Sequence, residues 1–479
     1  MSGFIEGADR SQASLFPERL EDWICEDNPV RIVDVFVDAL DLTDLGFDRT
    51  APANTGRPGY HPSVLLKLFI YGYLNRIPSS RRLEREANRN VEVMWLMGRL
   101  APDHKTIADF RTLNATAIRK TCAQFVELCR RLGVLKGGCV AIDGSKFKAV
   151  NNRDQNFTPR KIALRISHLE QSAARYLEDM TRIDRQEARE TRVDKVSHLK
   201  AKLERVRAEV VRLSGIAEQL KDTPDGQISL TDPDARSMAT RGKGTGLVGY
   251  NVQTAVDTQT HLIVAHEVTT VGNDRTQLAP MAKAAKAALG LDKLEVIADR
   301  GYFNGSQILT CDQAQITATV PRPETSGNRK KGMFVKADFT YDAEADIYIC
   351  PAGRHLTYRY TREEGGLMHR RYWQNECQRC PLQSRCTTGK ERRITRWEHE
   401  HLIDEAIMRM ERDPDLMRMR RCTVEHPFGT LKSWMGTTHF LTKGLKNVGA
   451  EMALNVLAYN MKRMINMIGI GPLMKAIAA

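Results

Sequence analysis

The sequence predicts an α/β protein: a mixed sheet preceded by an all-helical region and interrupted by a long helical hairpin. Three observations predict it. Apolar residues recur at helical spacing through residues 1–135. From 136 to 320, β-branched runs alternate with helical stretches. Within that span, at 160–222, apolar residues step by fours and threes through a background of Arg, Lys, Glu and Asp.

In chain order, "HPSVLLKLFIYGYLN" puts Pro62 in a first helical turn and repeats Val64, Leu65, Leu68, Phe69 and Leu74. A proline and two serines end it. Ser79 or Ser80 then suits the cap of "SSRRLEREANRN", which carries Arg81, Arg82, Arg85 and Arg89 along one flank. "DHKTIADFRTLN" reads as another capped helix. Short helices with an arginine-rich second member suit helix-turn-helix DNA binding, and they suit a solvated basic helix on a bundle equally well. "KGGCVAIDGSKFKAV" (136–150) is a strand carrying Asp143. The hairpin follows. Its first helix repeats Ile162, Ile166, Leu169, Ala173, Tyr176, Met180 and Ile183. Its second repeats Val196, Leu199, Leu203, Val206, Val210, Leu213, Ala217 and Leu220, the pattern of a coiled-coil insertion. "GYNVQTAVDTQTHLIVAHEVTT" gives two strands about a polar turn, "DRTQLAPMAKAAKAALG" a helix, "LEVIADRGYF" a strand ending at Asp299, and "ITATV" a fifth strand. Residues 321–412 are expected to form an irregular, cysteine-bearing insertion, and 413–479 to be helical and complete the core.

A net charge of +13 favours a polyanionic partner, nucleic acid ahead of a membrane surface. "MSGFIEGADR" carries acids where a secretory leader needs an apolar run, and "MINMIGIGPLM" is too short and interrupted to span a bilayer. Ten cysteines in 479 residues read as reduced cytosolic thiols rather than a disulfide scaffold. Cys350, Cys377, Cys380 and Cys386 stand apart, because their C-x2-C pair with flanking cysteines admits a closed structural zinc site as well as an inert thiol cluster.

Asp143 and Asp299 lie on adjacent predicted strands, where side chains share a crevice. Glu425 lies in "CTVEHPFGTLK", on a late helix expected to start at "DPDL", with Asp413 as cap and Pro414 in the first turn. Arg418, Arg421, Glu425 and Lys432 share one face of that helix. One carboxylate among three cations suits a metal-bound phosphodiester: the acid holds the ion and the cations hold phosphates. Pro427 is expected to kink the helix and turn Glu425 toward the sheet, or else to begin a new helix. Asp274, in "GNDRTQL", is expected to cap the helix that follows it.

Through "AIDGSKFKAV", "GYNVQTAVD", "VIADRGYF" and "RCTVEHPFGTLK", nearly the whole chain resembles the DDE transposases of bacterial insertion sequences. The resemblance implies a ribonuclease-H-like catalytic core. It assigns catalysis and Mg²⁺ binding to Asp143, Asp299 and Glu425, and DNA contact to Tyr302, Arg421 and Lys432. The family signature has Tyr where this chain has Arg418, which leaves the role of that position open. The resemblance further implies two Mg²⁺ ions, with Mn²⁺ able to substitute, roughly 3.5–4 Å apart. It implies terminal inverted repeats and target DNA as partners, a synaptic homodimer, and a bacterial cytoplasmic, nucleoid-associated setting. The rival readings are a ribonuclease-H-like nuclease without joining activity and a catalytically silent DNA-binding derivative.

Overall fold

The computed structural model describes residues 19–52, 58–151, 153–186, 189–223, 225–239, 246–324 and 327–478; "MSGFIEGADR" lies outside them. Among the described residues the chain begins with helices α1 (Val30–Asp38), α2 (Pro62–Leu74), α3 (Ser80–Ala87), α4 (Val91–Leu96), α5 (His104–Leu113) and α6 (Ala115–Arg131). Pro62 opens α2 as expected, since its fixed φ suits a first turn whose N–H has no helical partner. Asp103 caps α5 by accepting from the amides of Lys105 and Thr106. Ser79 holds the N-cap position of α3, but its side chain makes no capping bond.

The principal sheet begins with β1 (Cys139–Lys148). The short strands β2 (Asn156–Phe157) and β3 (Ile228–Ser229) pair at the base of two long helices, α7 (Pro159–Gln186) and α8 (Arg189–Lys221). In each helix the described repeat positions named above are the sheltered ones, while Leu164, Leu177 and Val211 off the pattern are exposed. The sheet resumes with β4 (Arg236–Ala239), β5 (Gly246–Asp257) and β6 (Ile263–Thr269), then α9 (Leu278–Leu289), β7 (Leu294–Ala298), α10 (Gly305–Gln313) and β8 (Ile316–Thr319). Its order is β4-β5-β1-β7-β8, with β6 also pairing β5. β1 runs antiparallel to β5 and parallel to β7, and β8 is parallel to β7. Alternation then sorts the two faces of the sheet. Val140 and Ile142 pack under Ala282 and Ala285 of α9, whereas Ala141 and Ile297 pack on the other face against Val424.

Residues 321–412 are not irregular. They build an antiparallel five-stranded sheet from β9 (Thr340–Asp342), β10 (Ile347–Ile349), β11 (His355–Glu364), β12 (Leu367–Trp373) and β13 (Ile394–Trp397). They also include α11 (Gln383–Cys386) and α12 (His401–Arg412). The alternating apolar signal is faint because the core is small and aromatic, centred on Phe339, Tyr348, Leu356, Tyr372 and Ile394. Along β11 only Leu356 is buried, so "HLTYRYTREE" reads as polar throughout.

The last elements are α13 (Leu416–Gly429), α14 (Leu445–Ile468) and α15 (Ile470–Ala478). α13 starts later than "DPDL" suggests: Asp415 stands at the N-cap, and Asp413 accepts from its amide. Pro427 neither breaks the helix nor begins a new one. The α-helix runs through it to Gly429 and continues as a π-helical turn, Thr430–Trp434, closed by Met435 N–H donating to the Thr430 carbonyl. The proline withdraws one backbone donor, and the helix absorbs the disturbance one turn on by widening. α14 is buried over most of its length between the sheet and the N-terminal helices. Among the described residues no helix is long and apolar enough to cross a membrane.

Candidate active-site cleft

The register Ile142↔Ala298 sets the next residues of the two parallel strands, Asp143 and Asp299, side by side at the edge of a cleft of ≈ 1040 Å³. α13 and the π turn form the opposite wall, contributing Arg420, Arg421, Glu425 and Lys432. Asp143 Oδ1 accepts from the Gly144 amide at 2.9 Å and Asp299 Oδ1 from the Gly301 amide at 2.7 Å, which fixes both carboxylates locally. Both converge on one cation: Arg420 Nη2 lies 2.9 Å from Asp143 Oδ1 and 3.8 Å from Asp299 Oδ2.

The π turn aims Lys432 back at β1. Its ammonium donates to Ser145 Oγ at 2.6 Å and to the Lys146 carbonyl at 3.2 Å, and it lies 4.5 Å over the Phe147 ring. Burial lowers its pKa. Arg421 and Glu425 are exposed on the cleft wall. Arg418 points outward, its side chain 80% exposed and 3.9 Å from Asp415, and it is not part of the cleft lining. Arg81, Arg82 and Arg85 are exposed along α3 and Arg89 is exposed in the turn after it, paired with Glu86; none of the four lines the cleft.

Tyr302 differs from its expected role. It is fully buried and its hydroxyl donates to Gln253 Oε1, so it supports the site from below and offers DNA no surface. Asp274 differs as well. α9 starts only at Leu278, and the Asp274 carboxylate instead accepts from Asn251 at 2.8 Å and Gln253 at 2.7 Å. The chain Asp274–Gln253–Tyr302 thus ties β5 to the turn that carries Asp299. A Cβ at Gly144 would lie 2.3 Å from Gln253 Nε2 and 2.8 Å from Asp274 Oδ1, so glycine is what lets this network pass behind Asp143. A Tyr302→Phe variant strands the buried Gln253 carbonyl oxygen. It is expected to lose about 1–3 kcal/mol, read as a lower urea midpoint with an unchanged slope.

Burial pushes the Asp143 carboxyl up to about 6 from 3.8, with Arg420 pulling the other way. In the unfolded chain the group ionises near 3.8 but in the fold only near 6, so its contribution is fully present below 3.8 and lost as pH rises to 6. Above that, the ionised group costs up to about 3 kcal/mol. In EDTA, Asp143→Asn is therefore expected to melt above wild type at pH 8, with the gap closing as pH falls from 6 to 4.

Sequence reasoning chose Arg421 by its spacing and missed its neighbour Arg420. The available signal was the inward stripe of α13: Arg420 lies in register with buried Val424, Phe428 and Leu431. Asn251 and Gln253 were missed too, though polar residues inside a strand as buried as β5 mark a site.

Asp143, Asp299 and Glu425 share the cleft, but among the described residues no three His, Cys, Asp or Glu side chains are gathered closely enough to hold a metal ion. The same finding applies to zinc. Cys350, Cys377, Cys380 and Cys386 are free thiols lining one small cavity of ≈ 20 Å³ with Phe334, Phe339 and Leu356. Among the described residues no metal-holding group is found, and of the four only Cys350 and Cys386 pack against the second sheet's core.

Two family models match the chain: a transposase domain (DUF772) over residues 18–113 and a transposase DDE domain over 349–465. No curated protein matches. Among solved structures, the cryo-EM piggyBac transposase synaptic complex with hairpin DNA aligns at TM-score 0.31 and 8% identity, over 94% of this chain and 79% of that one.

Proposed function

We propose that the chain, which matches both transposase family models, is a DDE transposase of a bacterial insertion sequence that cuts DNA at the ends of its element and joins the freed 3′-hydroxyls to a target. The observation that carries this reading is the convergence of Asp143 and Asp299 on a single cation, in a cleft also lined by Glu425, Arg421 and Lys432. The strand order supports it. Three antiparallel strands (β6, β5, β1) followed by two parallel ones (β7, β8) form the arrangement expected of a ribonuclease-H-like core.

As placed, Asp143 and Asp299 supply the two converging carboxylates that a divalent ion would take, and Glu425 lines the same cleft. Asp143 is a partly buried carboxylate whose ionised form is under-compensated, and Asp299 opens to the same space, so hard oxygen ligands lie where charge is wanted. Asp143 and Asp299, completed by Glu425 from α13, would hold Mg²⁺ or Mn²⁺. The ions would polarise the scissile phosphate and stabilise the attacking and leaving oxygens of an in-line displacement. The protein's own contribution is placement. Backbone amides of Gly144 and Gly301 keep the two strand acids fixed. Exposed Arg421 supplies a planar fork for a phosphate, and Lys432, held against Ser145, supplies a point charge at the cleft wall. The exposed arginines of α3 would hold duplex DNA through phosphate neutralisation. Two ends must meet before joining, so a homodimer is the expected working form.

The test is an in vitro reaction of purified protein with Mg²⁺, a linear DNA bearing the inverted repeats that flank the gene, and a supercoiled target. Joined products are expected. Cleavage without joining assigns a nuclease instead, and end binding with no reaction assigns a silent DNA-binding protein.

A further inference from the structure

Arg421, Glu425 and Lys432 follow the family signature and Arg420 does not, yet Arg420 is the side chain on which both strand acids close. Its Nη2 atom is 2.9 Å from Asp143 and 3.8 Å from Asp299, and the side chain is only 12% exposed. Nε and Nη2 are both buried, and neither makes a hydrogen bond in this arrangement. Nη2 therefore faces Asp143 as an ion pair, with Nε and Nη2 buried and short of a well-aligned acceptor, and leaving such donors unpaired is costly. Asp143 Oδ1 serves both the Gly144 amide and Arg420, whereas Asp299 accepts from the Gly301 amide with Oδ1 and turns Oδ2 toward the same guanidinium.

We infer that Arg420 is a positioning residue that serves as an internal counter-ion: it occupies the cation position between Asp143 and Asp299 and gates entry of the divalent ion. The inference rests on the reading of those two acids as the ion site. Without an ion, one positive charge on α13 keeps two carboxylates from repelling each other and docks the helix against the ends of β1 and β7. A small doubly charged ion competes for the same oxygens and displaces the guanidinium. The released fork, rich in N–H donors and matched to phosphate geometry, then has a partner if DNA lies in the cleft. Ion and DNA binding are thereby coupled: DNA phosphate receives the group that the ion must expel, so each favours the other.

The experiment is Mn²⁺ titration of the full chain by calorimetry and by electron paramagnetic resonance, with and without a short DNA duplex, on wild type, Arg420→Gln, Arg420→Lys and Asp143→Asn. Circular dichroism checks that each is folded. Without DNA, Arg420→Gln is expected to bind Mn²⁺ roughly tenfold tighter than wild type, because a competing charge within contact distance is gone. Its apo form is expected to melt lower in EDTA and to gain more from Mn²⁺. DNA is expected to tighten Mn²⁺ binding in wild type and to have little effect on it in Arg420→Gln. The shorter Arg420→Lys should fall between the two, which keeps the comparison available if the glutamine variant does not fold. Equal or weaker Mn²⁺ binding by Arg420→Gln or Arg420→Lys overturns the gating role while leaving the acids as the ion site. Undiminished Mn²⁺ binding by Asp143→Asn overturns the ion site itself.

Discussion

Asp143→Asn, Asp299→Asn and Glu425→Gln are each expected to lower Mg²⁺-dependent cleavage and joining by at least about 10³-fold, ~4 kcal/mol of barrier. Each substitution keeps the size of the side chain and removes one formal charge, so packing is spared and the loss reports on ion binding. Asp143 and Asp299 sit on the rigid sheet, where Ile142↔Ala298 fixes their separation. Glu425 sits on the exposed wall of α13 across the same cleft. A Glu425→Gln loss equal to that of the strand acids shows that the late helix completes the site. An unaltered rate removes Glu425 from the chemistry and leaves a two-acid centre. Binding of end DNA, measured by gel shift, is expected to persist in all three, because the phosphate-neutralising charges are untouched.

Gly249→Ala is expected to be the most damaging change to the fold, costing about 3 kcal/mol or more. A Cβ at that position would lie 2.0 Å from the Phe147 carbonyl oxygen and 2.9 Å from its carbon. Both are backbone atoms of β1, so no side chain can swing aside. Relief requires β1 and β5 to separate at the pair Lys148↔Gly249, six positions along β5 from Ala255, which faces Ile142. The variant is expected to show a lower thermal midpoint or to accumulate in the insoluble fraction. Where soluble, it should lose Mn²⁺ affinity along with stability, since the same strand carries Asp143.

Five of the six strands of the main sheet were legible because their signals are local, while the short edge strand β4, Arg236–Ala239, carries no such signal. "CVAID" and "LEVIAD" are apolar runs closed by an acid, and "AVDTQTHLIVAH" is a hairpin with its turn written in polar residues. The two long helices were legible for the same reason, since the repeat at Ile162 through Leu220 records which side is sheltered. The second sheet was not legible: its strands are edge-like, carry Arg and Glu on their open faces and share only a handful of aromatic residues. That Asp143, Asp299 and Glu425 line one cleft was legible, because each closes or interrupts a strand or helix signal at a place where an acid is out of pattern. Arg420 was obscured by Arg421 beside it, a distinction of about 100° around a helix that only the packing of Val424 against the sheet resolves. Tyr302 and Asp274 were misplaced because neighbours in sequence, a strand end and a helix start, suggested contacts that the distant Gln253 instead provides.

α14 has a consequence for how the molecule comes into being. Its side chains fill the middle of the N-terminal bundle: Ala450, Met452, Leu457 and Met461 share one core with Ile32, Leu66, Phe69 and Ile118. A ribosome therefore emits the basic helices long before the piece that wedges them upright. A polypeptide cut short ahead of Leu445 is expected to leave an unfinished N-terminal bundle open to proteolysis. Competence arrives late in synthesis and all at once.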